Sequence, residues 1–340
     1  MKNRATIIRL IVSLALLSGL LYWIGIESLA ESLRSFNPVW YAVAVALIFS
    51  HFFIQAITLR ALLLSKNIHV TTCSVFRLMI ISYFFGLFLP GGIGPDLVLC
   101  YNLVKTAEKK EDVLSAVVFI RISVLFILIV FAFLFSFTPM AAGLHLQFVT
   151  GALVFAFLCY YFIMANKNTL SIASRLLDFL NRHHFTSLLY KTYFALSEYG
   201  KDRRMLLRIL PWFFLSWLLK ITVDFIIALS LGLDIHIVYF IIFIPLVSIA
   251  AIVPLTLAGI GIREGSFVGL FGMAGVEASD AFSISILSFS LNFWLAFAGM
   301  LLFAIHGAGI IIKQSEVYSE HVKDIDHQPE GGNIPENDNR

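Results

Sequence analysis

The chain has 340 residues, of which 59% are hydrophobic and 13% are charged, and its formal net charge at neutral pH is +3. Soluble domains carry about twice this share of charge, so the composition excludes an ordinary soluble enzyme and indicates a protein whose solvent is the lipid bilayer. The net charge is too small to suggest a nucleic-acid partner. Cys73, Cys100 and Cys159 lack the paired spacing of metal sites and disulfide frameworks. We therefore expect an all-α, polytopic integral membrane helical bundle.

Long apolar segments predict seven to eight transmembrane helices, because each crossing needs about 20 apolar residues. Basic residues before the first segment and after the second place the N-terminus in the cytoplasm by the positive-inside rule. Pro38 suits the first turn of the second helix. The predicted crossings lie near residues 7–26, 38 to beyond 58, 112–136, 147–165, 206–231, 236–254 and 281–312.

Two segments rich in glycine and proline interrupt this apolar pattern. The first, Pro90–Asp96, follows an apolar run of about 12 residues that is too short to cross, and the second runs from Pro254 to Gly265. Both are predicted to be re-entrant segments whose freed backbone groups face a polar interior. Because a pair of crossings precedes each, they indicate a duplicated unit, and such breaks mark substrate sites in transporters. The sequence leaves open whether the two halves are parallel or inverted.

Charged residues inside apolar segments are the candidate substrate contacts, because each costs about 2.5–3.5 kcal/mol in lipid and normally faces the bundle interior. Lys220 and Asp224 are four residues apart on one helix. They are expected to form either a structural ion pair or a substrate contact. Arg121 either grips a phosphate through two hydrogen bonds or extends towards the cytoplasm. Helix N-termini after Asp96 and Gly265 are expected to face a lipid phosphate. The full candidate set is Pro90, Gly91, Gly92, Gly94, Asp96, Arg121, Lys220, Asp224, Pro254, Gly259, Gly261, Arg263 and Glu264.

Other polar residues have a simpler expected role. His51 and Gln55 share a helix face, and several polar residues lie together on the last helix, so interhelical hydrogen bonding is expected for all of them. The chain contains no Walker A loop, no HExxH zinc motif and no GxSxG nucleophile elbow. We therefore expect no enzyme activity, no ATP hydrolysis, no metal and no cofactor. The polar residues of the last helix are Ser283, Ser285, Ser288, Ser290 and Asn292.

Three regions are expected along the chain. Residues 1–312 form one transmembrane domain, and within it the basic interval 167–207 forms cytoplasmic amphipathic helices. Residues 313–340 are polar and acidic without an apolar face, which predicts a disordered tail.

At the two breaks the sequence resembles a known family, the flippase-like transmembrane domain of lysylphosphatidylglycerol synthases, which also occurs alone in prokaryotes. Pro90–Asp96 is similar to its P-x-x-x-G-G-D segment, and Pro254–Glu264 to its P-x-x-x-x-G-x-G-x-R-E segment. The family usually has glycine in place of Pro95 and arginine in place of Leu99. The resemblance, over about residues 5–312, implies a multi-pass protein of a prokaryotic inner membrane that moves phospholipid or polyprenyl-linked lipid between leaflets. The aminoacyl-transfer domain of the synthases lies outside this sequence, so aminoacylation is not expected.

The leading functional hypothesis is a lipid translocase, flippase or scramblase-like, whose partners are anionic or phosphate-bearing membrane lipids. An alternative from another class is a non-transporting membrane subunit that binds lipid or an envelope-biosynthesis enzyme. A membrane-embedded glycosyl or lipid transferase is a third, weakened by the lack of an evident base near a metal-binding carboxylate pair. Self-association is compatible with each hypothesis.

Overall fold

The computed structural model describes residues 2–86, 94–105, 107, 109–139, 145–165, 199, 203–252, 256 and 259–306. In these ranges all regular secondary structure is helical, which confirms the all-α prediction. The described ranges contain eleven helices: α1 Lys2–Ile24, α2 Ile26–Ser32, α3 Pro38–Leu64, α4 Thr72–Gly86, α5 Gly94–Val104, α6 Lys110–Phe135, α7 Leu146–Ala165, α8 Arg203–Ser230, α9 Ile237–Ile252, α10 Ile262–Met273 and α11 Ala278–His306.

Four of these helices, α3, α6, α8 and α11, are long and apolar enough to cross a bilayer. A fifth crossing results only if α1 and α2, which bend by 79° around Gly25, form one broken span. α4 and α9 have 15 and 16 residues, about 22–24 Å of helix against a hydrocarbon core of about 30 Å. The predicted count of seven to eight crossings is therefore not confirmed within the described residues.

Helix α3 begins where the sequence predicts. Pro38 occupies its first turn, where its missing N–H leaves no bond unmade. The Asn37 side chain caps the helix by accepting a hydrogen bond from the Val39 N–H at 2.9 Å. The start of this central helix is thus fixed by local residues.

The order and lengths of the helices repeat along the chain. α3 to α6 have 27, 15, 11 and 26 residues, and α8 to α11 have 28, 16, 12 and 29. The packing repeats as well, because α4 lies against α11 just as α9 lies against α6. We call α3–α6 the first unit and α8–α11 the second unit. This arrangement agrees with the duplication that the two breaks indicated.

The two units are inverted, because α3 and α8 pack together in antiparallel orientation. At the start of α3, the Asn37 N–H donates to the Ser230 carbonyl at 2.6 Å, where α8 ends. The neighbouring Ser35 hydroxyl donates to the Leu231 carbonyl at 2.5 Å. At the opposite end of α3 lies Tyr199, which precedes α8. The structure thereby decides between the parallel and inverted arrangements that the sequence left open.

Within each unit the two short helices are neighbours. In the first unit the end of α4 meets the start of α5 so closely that a Cβ on Gly86 would lie 2.5 Å from the Pro95 ring. The chain between them, with Pro90, Gly91 and Gly92, lies outside the described residues, as does Pro254. That these pairs enter and leave the membrane on one side stays a prediction. Residues 313–340 and nearly all of 167–202 also lie outside the described residues.

The outer faces of the long helices carry large apolar side chains, as a lipid-facing surface requires. On α8 and α11, for example, Leu207, Phe214, Phe293 and Phe297 are exposed. α11 packs closely on α4 at Gly299, where any added Cβ would collide with the Ile80 carbonyl. Small residues at such contacts let helix backbones approach in membrane proteins.

Candidate functional site

The break of the first unit carries a paired carboxylate. α5 begins at Gly94, which is buried, so Asp96 is the third residue of that helix. Arg121 lies on α6, about 16 Å along a helix of about 39 Å, and its Nε and Nη2 each donate to a different Asp96 oxygen at 2.7 Å. This two-point geometry is the strong form of an arginine–carboxylate pair. Arg121 is therefore held by Asp96, and its expected contact with a phosphate stays a prediction.

The break of the second unit carries the equivalent carboxylate. α10 begins at Ile262, so Glu264 is also the third residue of its short helix. One Glu264 oxygen accepts the Gly261 N–H at 2.6 Å and the other accepts from Arg263. Gly259 and Gly261 have positive φ angles of 77° and 89°, which suit glycine at this turn.

This geometry corrects the expected positions of the two helix N-termini, whereas a lipid phosphate facing them stays a prediction. α10 starts before Gly265, and α5 starts before Asp96. Each carboxylate therefore lies in the first turn of its helix, where it interacts favourably with the positive end of the helix dipole. At the second break Glu264 also takes the N–H of Gly261, so that donor is already satisfied.

Arg263 is held in place from the neighbouring helix α11. Its Nε donates to the Ser285 hydroxyl at 3.3 Å, and its guanidinium lies 4.1 Å from the centre of the Phe289 ring. The hydrogen bond and the cation–π contact fix the guanidinium beside Glu264. The two units thus neutralise their first-turn carboxylates in different ways. Arg121 on α6 neutralises Asp96, whereas the adjacent residue Arg263 neutralises Glu264.

His51 joins the two units at their centre. His51 and Ser216 each occupy the fourteenth position of their helices, α3 and α8. A carbonyl oxygen can only accept, so the His51 Nδ1–H donates to the Ser216 carbonyl at 2.6 Å, and Nε2 is left to accept from Gln55 at 3.0 Å. The predicted interhelical bond is confirmed for His51, whereas Gln55 bonds within its own helix.

One turn further along α8, Lys220 and Asp224 form an ion pair at 2.6 Å. Ser288 of α11 donates to the second Asp224 oxygen at 2.8 Å. The Asp224 side chain is 1% exposed and that of Lys220 is 27% exposed. The predicted pairing of these two residues is confirmed, and Ser288 makes the interhelical bond expected of it.

These groups form a nearly continuous set of polar side chains between the two breaks, which we call the polar band. Helix α8 connects its two ends, because Ser216 and Lys220 are four residues apart on it and therefore neighbours on one face. The polar band comprises Asp96, Arg121, Gln55, His51, Ser216, Lys220, Asp224, Ser288, Ser285, Arg263 and Glu264.

The two ends of the polar band differ in accessibility. The Arg121 side chain is 54% exposed and lines a pocket of about 50 Å³. At the other end the Glu264 side chain is 2% exposed and Arg263 is largely covered. The Asp96–Arg121 pair is therefore partly exposed, which we call open, and the Glu264–Arg263 pair is covered, which we call closed.

Sequence reasoning missed one pairing and two residues of the site. It did not pair Asp96 with Arg121, although the lack of an arginine at Leu99 leaves Asp96 in need of another cation. It gave no role to Ser216, which acts through its backbone carbonyl, or to Trp217, which lines the pocket beside Arg121. Neither residue type carries a signal in sequence for such a role.

The described residues contain no group of three or more His, Cys, Asp or Glu side chains arranged to hold a metal ion. The arrangement offers charged pairs and hydrogen-bond donors instead. Such groups can solvate a polar molecule inside an apolar bundle.

Comparison with known proteins identifies a matching family. The sequence model described as the lysylphosphatidylglycerol synthase TM region matches residues 7–299. No curated protein and no solved structure matches the chain. The matched range contains both breaks and every residue of the polar band.

Proposed function

Because the chain belongs to the family of the lysylphosphatidylglycerol synthase TM region, a family of membrane proteins connected with lipid, we propose that it moves lipid between the leaflets of a membrane. The substrate is a phospholipid or polyprenyl-linked lipid with an anionic or phosphate-bearing headgroup. The protein acts as a flippase or scramblase and neither hydrolyses ATP nor alters the lipid covalently. We propose further that the protein lies in a prokaryotic inner membrane with its N-terminus in the cytoplasm.

The observation that carries this proposal is the polar band between two inverted units. Inverted repeats with interrupted helices are the architecture of many secondary transporters, whose substrate sites lie where the repeats meet. Here the central contact between the repeats, His51 with Ser216, lies within the polar band.

A polar path lowers the free-energy cost of moving a charged headgroup through the hydrocarbon, which is the main physical obstacle to lipid movement. A charged group in the middle of the hydrocarbon costs several kcal/mol or more, so unassisted exchange of a headgroup is slow. The polar band provides replacement hydrogen bonds for the headgroup, while the acyl chains stay in the surrounding lipid. The open pair at Arg121 and the closed pair at Arg263 fit a route in which access alternates between the two inverted units.

The experiment is leaflet exchange in liposomes that contain the purified protein. Fluorescent anionic, zwitterionic and aminoacylated phospholipids are followed by the fraction that an impermeant quencher reaches over time. Wild-type protein should accelerate exchange of at least one lipid over empty vesicles, and Arg121→Gln should remove most of that gain. Arg208→Gln is the matched control, because Arg208 is an exposed arginine on α8 outside the polar band.

Exchange no faster than in empty vesicles for every lipid would count against translocation. An equal loss in both variants would show that the effect comes from general charge and not from the polar band. The first result would favour the non-transporting alternative, which co-purification with envelope-biosynthesis enzymes would then test.

A further inference from the structure

The pocket beside Arg121 lies where the two units meet. Residues of α3, α4, α5, α6 and α8 line it, among them Gln55, Asp96, Arg121 and Trp217, and the rest of its wall is apolar. Its volume of about 50 Å³ exceeds the roughly 10–15 Å³ that one water molecule needs on the same measure. It therefore has room for a small polar group.

The indole N–H of Trp217 is unsatisfied. Its Nε1 is buried and has no hydrogen-bond partner in the structure. The ring packs edge-on against His51, with centroids 6.0 Å apart. A buried donor without a partner is unfavourable, so this N–H is a position at which a ligand gains free energy by accepting a bond.

Arg121 adds further unused donors. A guanidinium has five N–H groups, and the two bonds to Asp96 occupy one on Nε and one on Nη2. Arginine and indole N–H groups can donate but cannot accept. The ligand must therefore bring several acceptor oxygens in a small volume, which is the chemistry of a phosphate oxyanion.

The surrounding bonds hold this donor set in place. Gln55 is tied to His51, and His51 to the Ser216 carbonyl, next to Trp217 on α8. The donors thus come from both units, since Arg121 belongs to the first and Trp217 to the second.

We infer that this pocket binds a phosphate oxyanion through the Trp217 indole N–H and the free N–H groups of Arg121. The inference deepens the proposed function by naming the bound group, and it rests on that function only for a lipid as the source. Free inorganic phosphate offers the same chemistry. Trp217 is then a binding residue, and Gln55 and His51 are positioning residues.

The test is nuclear magnetic resonance of the full chain in maltoside micelles with ¹⁵N-labelled indole groups. The Trp217 signal is assigned as the one missing from Trp217→Phe, and Trp212→Phe serves as the matched control because Trp212 is exposed on the same helix. Three probes are titrated separately: phosphatidylglycerol, diacylglycerol with the same acyl chains, and inorganic phosphate.

Phosphatidylglycerol should move the Trp217 indole signal downfield, and diacylglycerol should leave it in place. A shift with inorganic phosphate as well identifies an oxyanion site that either source fills, whereas a shift with phosphatidylglycerol alone identifies the lipid as the source. Trp217→Phe should weaken phosphatidylglycerol binding about tenfold or more, as expected for one hydrogen bond to a charged group, and Trp212→Phe should not.

The inference is overturned if no phosphate-bearing probe moves the signal, or if diacylglycerol moves it equally. The first result would assign the indole N–H to the His51 ring or to a water molecule. The outcome is separable from the proposed function: a shift in a protein that does not accelerate leaflet exchange refutes translocation alone. Exchange without a shift refutes the phosphate site alone.

Discussion

Replacing Lys220 by methionine leaves the Asp224 carboxylate, which is 1% exposed, without its cation at 2.6 Å. Breaking a buried ion pair by removing one partner costs about 3–5 kcal/mol, because the remaining charge is buried without compensation. The Ser288 bond to the second oxygen is retained and places the expected cost of Lys220→Met near the lower end, about 3 kcal/mol. Asp224→Leu should cost less, about 1–2 kcal/mol, because Lys220 is 27% exposed and can turn outwards.

The double variant Lys220→Met/Asp224→Leu removes both charges and should cost much less than the sum of the two single changes. Replacing a buried ion pair by apolar side chains of similar volume is often close to neutral, so we expect a coupling energy of about 2 kcal/mol or more. The assay is unfolding in mixed maltoside and dodecyl sulfate micelles, followed by far-ultraviolet circular dichroism. Arg208→Met, at an exposed position on the same helix, should change the unfolding free energy by less than about 0.5 kcal/mol. Additive single effects, or a Lys220→Met variant as stable as wild type, would refute the reasoning.

Two further predictions concern the inverted arrangement and the second break. Cysteines at Ser35 and Gly232 should form a disulfide in a background without the native cysteines, because the Cβ atoms would lie 3.6 Å apart, within the usual range of about 3.5–4.5 Å. Cleavage of the chain between the units should then yield fragments that separate only after reduction. Separation without reductant would contradict the antiparallel contact. Gly261→Ala should lower the unfolding free energy by about 2–4 kcal/mol, from strain at positive φ and from a Cβ placed 2.6 Å from that of Leu16. Gly19→Ala, with open space around its Cβ, is the control, and its unfolding free energy should be within about 0.5 kcal/mol of the wild-type value. Equal losses in both variants would exclude strain at Gly261 as the cause.

The sequence was sufficient for properties that depend on local pattern. Apolar length predicted a helical membrane protein, and Pro38 predicted the start of α3. The pairing of Lys220 with Asp224 followed from their spacing on one helix turn. The two breaks, with their glycines and prolines, indicated a duplicated unit because such residues disrupt helices wherever they occur.

Other properties depend on which helices meet, and no local pattern contains that information. The inversion of the units follows from contacts such as Asn37 with Ser230, which lie far apart in the chain. The same holds for Arg121, whose partner Asp96 is on another helix. The helices α5 and α10 begin a few residues earlier than the sequence predicted, because a carboxylate in the first turn of a helix stabilises that start. Glycine content alone does not indicate this effect.

The central claim is that a lipid headgroup passes both charged pairs on one path, and leaflet exchange by Arg121→Gln, Arg263→Gln and the double variant tests it most directly. If both pairs lie on one path, each single change should remove most of the wild-type gain in exchange rate, and the double variant should be little slower than the slower single variant. All three proteins must elute like wild type in size-exclusion chromatography, so that loss of fold is excluded. Single variants that each keep about half of the gain while the double variant loses all of it would indicate two separate routes, and single variants as fast as wild type would contradict the account altogether.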